Sequence, residues 1–124
     1  MLGESEFNKY FFEILMAKGI AYLLRKNGID AEFTGVGSDG KEKVAYLITL
    51  EDVSVNDKEK VKKIKDTLIA SDFMPKGTMK LDENTVADVF SRIGSPVKAL
   101  LVRSGDEYSR LFIEFPLNEK KENK

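Results

Sequence analysis

The first 27 residues constrain this chain most, because they place apolar side chains on two sides of one helix. Residues 4–27, ESEFNKYFFEILMAKGIAYLLRKN, contain no proline and a single glycine. Ser5 suits the cap position at their start, and Asn27-Gly28 suits a helix stop, with glycine supplying the left-handed residue. At about 100° per residue, Phe7, Tyr10, Phe11, Ile14, Leu15, Ala21 and Leu24 gather into one wide apolar face. Phe12, Met16, Ile20 and Leu23 form a second stripe on roughly the opposite side. A helix lying on one sheet buries one face, so a second stripe calls for another cover, either within the chain or from another chain. Lys18 falls within the first face, where its stem can snorkel or its ammonium can meet a carboxylate. Gly19 costs about 1 kcal/mol against alanine inside a helix, a cost that a bend or a close backbone approach would justify.

The rest of the chain reads as strands with two further helices. Ile29, Ala31 and Phe33 alternate with Asp30, Glu32 and Thr34, the period of a half-buried strand. Gly35-Val36-Gly37-Ser38-Asp39-Gly40 has turn composition, and Val44-Ala45-Tyr46-Leu47-Ile48-Thr49-Leu50 is apolar on both faces, as in a central strand. Asn56 with Glu59 three positions on opens a second helix, which carries Val61, Ile64 and Leu68 inward and ends near Ala70. Residues 71–81 hold Pro75 and Gly77 and read as a loop with a short edge strand at 78–81. Asp82 or Asn84 then caps an expected third helix with Val86, Val89, Phe90 and Ile93 inward, stopped by Gly94 and Pro96. Residues 97–103 and 110–115 are strands joined through Ser104-Gly105-Asp106-Glu107. The expected architecture is α+β in the order α-β-β-α-(β)-α-β-β, with three helices on a mixed or antiparallel sheet of four or five strands. Residues 1–117 form its single domain, and 118–124, without an apolar residue, form a disordered charged tail. The succession helix, glycine, strand, turn, strand occurs twice, at 5–50 and 83–115, which suggests either a duplicated half or chance.

Composition narrows the chemistry. The 124 residues include no cysteine and no histidine. Disulfides, thiolate metal sites and cysteine nucleophiles are therefore excluded, and so is every histidine general base. Twenty basic and 21 acidic residues give a net charge of −1, so no global field draws in nucleic acid or anionic membrane. Charge at 33% of residues, with both signs mixed, is shared by thermophile and soluble mesophile proteins. Without a basic leader or a long apolar span, the chain is expected to be cytoplasmic.

Three patterns carry chemical alternatives. The glycines at 35, 37 and 40 satisfy G-x-G-x-x-G, but the residues that follow read as a strand, where a dinucleotide site needs a helix N-terminus. Glu13 on the leading helix, Asp30 on a strand and Asp39-Gly40-Lys41 resemble the restriction-endonuclease-like nucleases, Holliday junction resolvases among them. That resemblance implies carboxylates around Mg²⁺ with a lysine near the attacking water. Here the acid and the lysine fall in a turn, and Glu51 on the next strand has no lysine two residues on. Lys58, Lys62, Lys63 and Lys65 on the second helix could track phosphates, although Asp57, Glu59 and Asp66 dilute them. No metal ligand set or cofactor motif emerges. The favoured expectation is a non-enzymatic interaction module, self-associating or bound to a protein partner through Phe12, Met16, Ile20 and Leu23. The alternative is a nucleic-acid-binding protein with a nuclease-like fold and a missing or remodelled metal site.

Overall fold

Eight elements follow one another: α1 (Glu4–Lys26), β1 (Ala31–Ser38), β2 (Lys43–Ser54), α2 (Lys58–Ala70), β3 (Phe73–Asp82), β4 (Thr85–Arg92), β5 (Lys98–Ser104) and β6 (Glu107–Pro116). The computed structural model describes residues 4–38, 40 and 42–117, with α1 side chains described from Tyr10 onward. The expected tail at 118–124 lies outside the described residues.

All six strands join one antiparallel sheet in the order β1-β2-β6-β5-β4-β3. This corrects the expected four or five strands with three helices. Two local readings caused the difference. The expected third helix is β4, and the expected loop at 71–81, with its short edge strand at 78–81, is strand from Phe73 to Asp82, as β3. Val86, Val89, Phe90 and Ile93 do recur at helical spacing, but β4 has neighbours on both edges and buries apolar residues on both faces. Phe90 enters the main core, while Ala87 and Val89 join a smaller cluster on the other side. A short run that is apolar on both faces satisfies either period. The Asp82 carboxylate accepts the Asn84 backbone N–H at 2.9 Å. That local bond resembles a helix cap in sequence, but here it closes the turn of the β3–β4 hairpin. Gly94, with φ of 70°, occupies the next hairpin turn. With residues 83–93 largely a strand, the second copy of the apparent duplication loses its helix.

The first strand also differs from expectation. β1 runs on through Gly35 and Gly37 to Ser38, with a register shift between Phe33 and Gly35. Four of the six residues of the glycine motif are thus strand. β3 is an edge strand despite Pro75, which a central strand would not tolerate, and it carries register shifts near Gly77 and Asp82.

Both helices cover one face of the sheet: α1 packs on β1, β2 and α2, while α2 packs on β2 and β3. Ala17, Ile20, Ala21 and Leu24 of α1 join Ile64 and Leu68 of α2 above Tyr46, Ile48, Phe90, Leu111 and Ile113. The stop at Gly28 forms as expected. Ile29 N–H reaches Leu24 carbonyl at 2.9 Å, and Gly28 N–H reaches Arg25 carbonyl at 3.0 Å. That is the Schellman pattern, and Leu24 and Ile29 are both fully buried. The neighbouring Asn27 amide donates to Thr67 of α2 at 3.0 Å, tying the end of α1 to the second helix. The cap of α2 is Asp57, not Asn56; its carboxylate accepts Lys60 N–H. Among the described residues, no helix is long and apolar enough to cross a membrane.

If β4 is a central strand with Phe90 in the main core, Phe90→Ala should lower the unfolding free energy by about 3–5 kcal/mol. Urea titration of the two proteins measures it. A change below about 1 kcal/mol would contradict the buried strand assignment.

Candidate functional site: the outer face of the N-terminal helix

The rotation of α1 decides which of its apolar residues remain available. Ala17 and Ala21, one turn apart and fully buried, bring the helix backbone close to the sheet. One turn before Ala17, Glu13 is also buried, at 5% exposure, and Tyr46 Oη of β2 donates to its carboxylate at 2.6 Å. Burial in the first place, and then this bond to Glu13, push the Tyr46 phenol well above its ordinary range. The inward face of α1 is therefore centred on Glu13, Ala17, Ile20, Ala21 and Leu24.

This rotation splits both expected stripes. Of the first face, Ala21 and Leu24 are buried and Tyr10 and Ile14 half-buried, but Phe11 and Leu15 turn outward. The Phe7 side chain lies outside the described residues. Of the second stripe, Ile20 enters the core, Met16 packs against it, and Phe12 and Leu23 are exposed. The outward face consists of Phe11, Phe12, Leu15, Tyr22 and Leu23, with exposures of 49%, 66%, 46%, 54% and 39%. Phe11 and Phe12 meet edge to face with ring centres 6.1 Å apart. Gly19 lies among these residues, and a Cβ built on it would meet nothing within 4 Å. Close packing within the chain therefore does not account for this glycine.

Beside this face runs an open groove of about 420 Å³, walled by Met16, Ile20 and Leu23 of α1 and by Phe73 of β3. Asp72 and Arg92, paired at 3.9 Å, also line it. Three of the four stripe residues thus share one groove, although Ile20 contributes little surface. Sequence reasoning missed the Glu13–Tyr46 contact. Its signal was Glu13 one turn before Ala17, since small residues at helical spacing mark the side that approaches another element most closely.

A second groove, of about 460 Å³, lies between α1 and the sheet edge and holds Lys18, Arg25, Asp30, Glu32 and Phe33. Lys18 is exposed there, its ammonium 5.9 Å from the Phe33 ring centre, and Arg25 donates to the Ala31 carbonyl at 2.6 Å. The groove mixes both signs of charge.

The lysines of α2 meet carboxylates. Lys62 pairs with Asp66 at 2.7 Å, Lys63 with Glu59 at 3.8 Å and Lys65 with Asp88 at 3.7 Å. Lys60 binds Glu51, and that bond, with the Asp30 N–H at 2.9 Å, holds the Glu51 carboxyl below the usual range. No such carboxylate contact is described for Lys58. The field of Lys62, Lys63 and Lys65 is offset locally, so the nucleic-acid reading gains no support from it. Of the acids that resemble the nuclease set, Glu13 is in the core and Asp30 adjoins Glu51, while Asp39 and Lys41 lie outside the described residues. Among the described residues, no three acidic side chains gather closely enough to hold a metal ion.

The Tyr46 shift has a defined pH signature. An unfolded tyrosine releases its proton near pH 10, whereas folded Tyr46 retains it to higher pH. Above about pH 10 the folded state therefore binds more protons, and stability falls as pH rises. Tyr108, pushed up first by burial and then by its bond to Asp88, adds to the same trend. Tyr46→Phe should lose about 1–3 kcal/mol at neutral pH, because the buried carboxylate loses a donor. The variant should then lose less than the wild type between pH 9 and pH 11, as about one tyrosine titration is removed. Denaturant titrations across that interval read both effects, and equal slopes would contradict the buried phenol.

No protein-family model, curated protein or solved structure matches the chain.

Proposed function

We propose that this chain is a non-enzymatic, cytoplasmic protein-interaction module whose contact surface is the outer face of α1. One observation carries the reading: Phe11, Phe12, Leu15, Tyr22 and Leu23 stand exposed together on a helix that already buries its other side. From Phe11 to Leu23 this outward face spans roughly 120° of the helix, as wide as the stripe a helix ordinarily buries. Water alone is a poor cover for an apolar area of that extent, and contiguous patches of this kind mark sites of association. The adjoining groove extends this apolar outer face to Met16. Aromatic residues dominate it, and aromatics supply a large contact area at low entropy cost. The absence of cysteine suits a reducing compartment.

The test places a photoreactive amino acid at Phe12, at Tyr22 or, as a control, at Asp66 on the exposed side of α2. After irradiation in cells, Phe12 and Tyr22 should give adducts of discrete mass, and Asp66 should give little. The reading is wrong if Phe12 and Tyr22 give no adduct, or none above the Asp66 level.

A further inference from the structure

We propose that the occupant of this face is a second copy of the same chain, its α1 packed antiparallel against the first around a twofold axis at Gly19. The proposal rests on the reading of the outer α1 face as a contact surface, and adds what covers it.

The area of the face fits a second copy. A whole aromatic side chain offers roughly 200 Å². At their observed exposures, the five outward residues leave on the order of 500 Å² per chain to be covered. Fully covered, two such faces together bury about 1,000 Å², the lower bound for a specific protein interface. Met16, in the groove beside α1, adds to that contact. The face therefore reaches the minimum size when it pairs with its own copy, without a larger partner.

The face is also self-complementary. In an antiparallel pair centred on Gly19, a residue a given number of positions before the axis faces one the same number after it. Leu15 of one copy then faces Leu23 of the other, leucine against leucine. Phe12 faces Lys26, which ends α1 on the same outward side. The ammonium of Lys26 can lie over the Phe12 ring, a favourable cation–aromatic contact. The charge at the end of the face thus meets a ring and not a like charge. Antiparallel packing also sets each helix dipole against its opposite.

Gly19 itself fits a helix crossing. Glycine here costs about 1 kcal/mol of helix stability against alanine, and no atom of its own chain within 4 Å of the Cβ position requires it. At a helix crossing its lack of a side chain lets two axes approach to the short end of the usual 8–10 Å range. A twofold pair is also closed, so each face is used once and no open chain of copies grows.

Gly19→Leu tests the pairing directly. Inside one chain the leucine meets open space and favours the helix, so the variant should fold and melt no lower than the wild type at low concentration. Between two chains it fills the crossing point. Sedimentation and light scattering should show the wild type at twice the chain mass in the micromolar range, and Gly19→Leu at the single mass, with its affinity for itself lowered at least about 100-fold. Unaltered dimerisation of a folded Gly19→Leu overturns the proposed axis. A wild type that remains a single chain at millimolar concentration overturns the second-copy occupant. In that case, Phe12 adducts of a mass other than two chains leave the contact surface standing, whereas no Phe12 adduct at all removes both.

Discussion

The close approach of α1 to the sheet is the contact on which the arrangement of this molecule depends. Ala17 and Ala21 remove bulk between the helix and the strands, and the buried Glu13 carboxylate takes the Tyr46 hydroxyl. These contacts set which side of α1 faces the sheet. A polar group is costly to bury without hydrogen bonds, so turning α1 away from Tyr46 would cost Glu13 this bond. Everything on the opposite side is then exposed by geometry: Phe11, Phe12, Leu15, Tyr22 and Leu23 face outward because Glu13, Ala17 and Leu24 face inward.

The remainder of the fold reinforces that placement. The Schellman turn at Gly28 ends α1 with Leu24 and Ile29 in the core, and Asn27 ties the turn to Thr67 of α2. α2 then carries the chain from β2 to β3 at the far edge of the sheet, where the hairpins β3–β4 and β5–β6 fill the space back to β2. This connection puts both helices on one face and leaves the other with a smaller cluster around Ala87, Leu100 and Val102. The two edges are blunted in different ways. Arg25 takes the Ala31 carbonyl at the start of β1, and Pro75 with two register shifts interrupts β3. Edge pairing between copies is thereby discouraged.

Where sequence reading succeeded, local chemistry and tertiary environment agreed. The stop at Gly28, the strand around Tyr46, the length of α2 and the turn at Gly105 all rest on residues whose preferences hold in isolation. It failed at β3 and β4, where local signals were ambiguous. Asp82-Glu83-Asn84-Thr85 offers the same side-chain-to-backbone bond to a helix start and to a hairpin turn. Pro75 and Gly77 argue against a central strand but not against an edge strand, and edge position is a property of the whole sheet.

The residues of α1 alone establish that the helix exists, where it stops, and that it carries more apolar surface than one packing face can bury. Hydrophobic periodicity and the Asn27-Gly28 stop are enough for that, because both act within a few turns of chain. They do not determine which part of that surface stays outside. By spacing alone, Phe11, Ile14 and Leu15 make as good an inward face as Glu13, Ala17 and Ile20, and hydropathy prefers the former. That choice depends on a long-range contact, because the buried Glu13 carboxylate accepts from Tyr46, 33 residues away on β2. A buried carboxylate and two alanines outweigh a row of larger apolar residues once a hydrogen-bond donor and a close strand are in place.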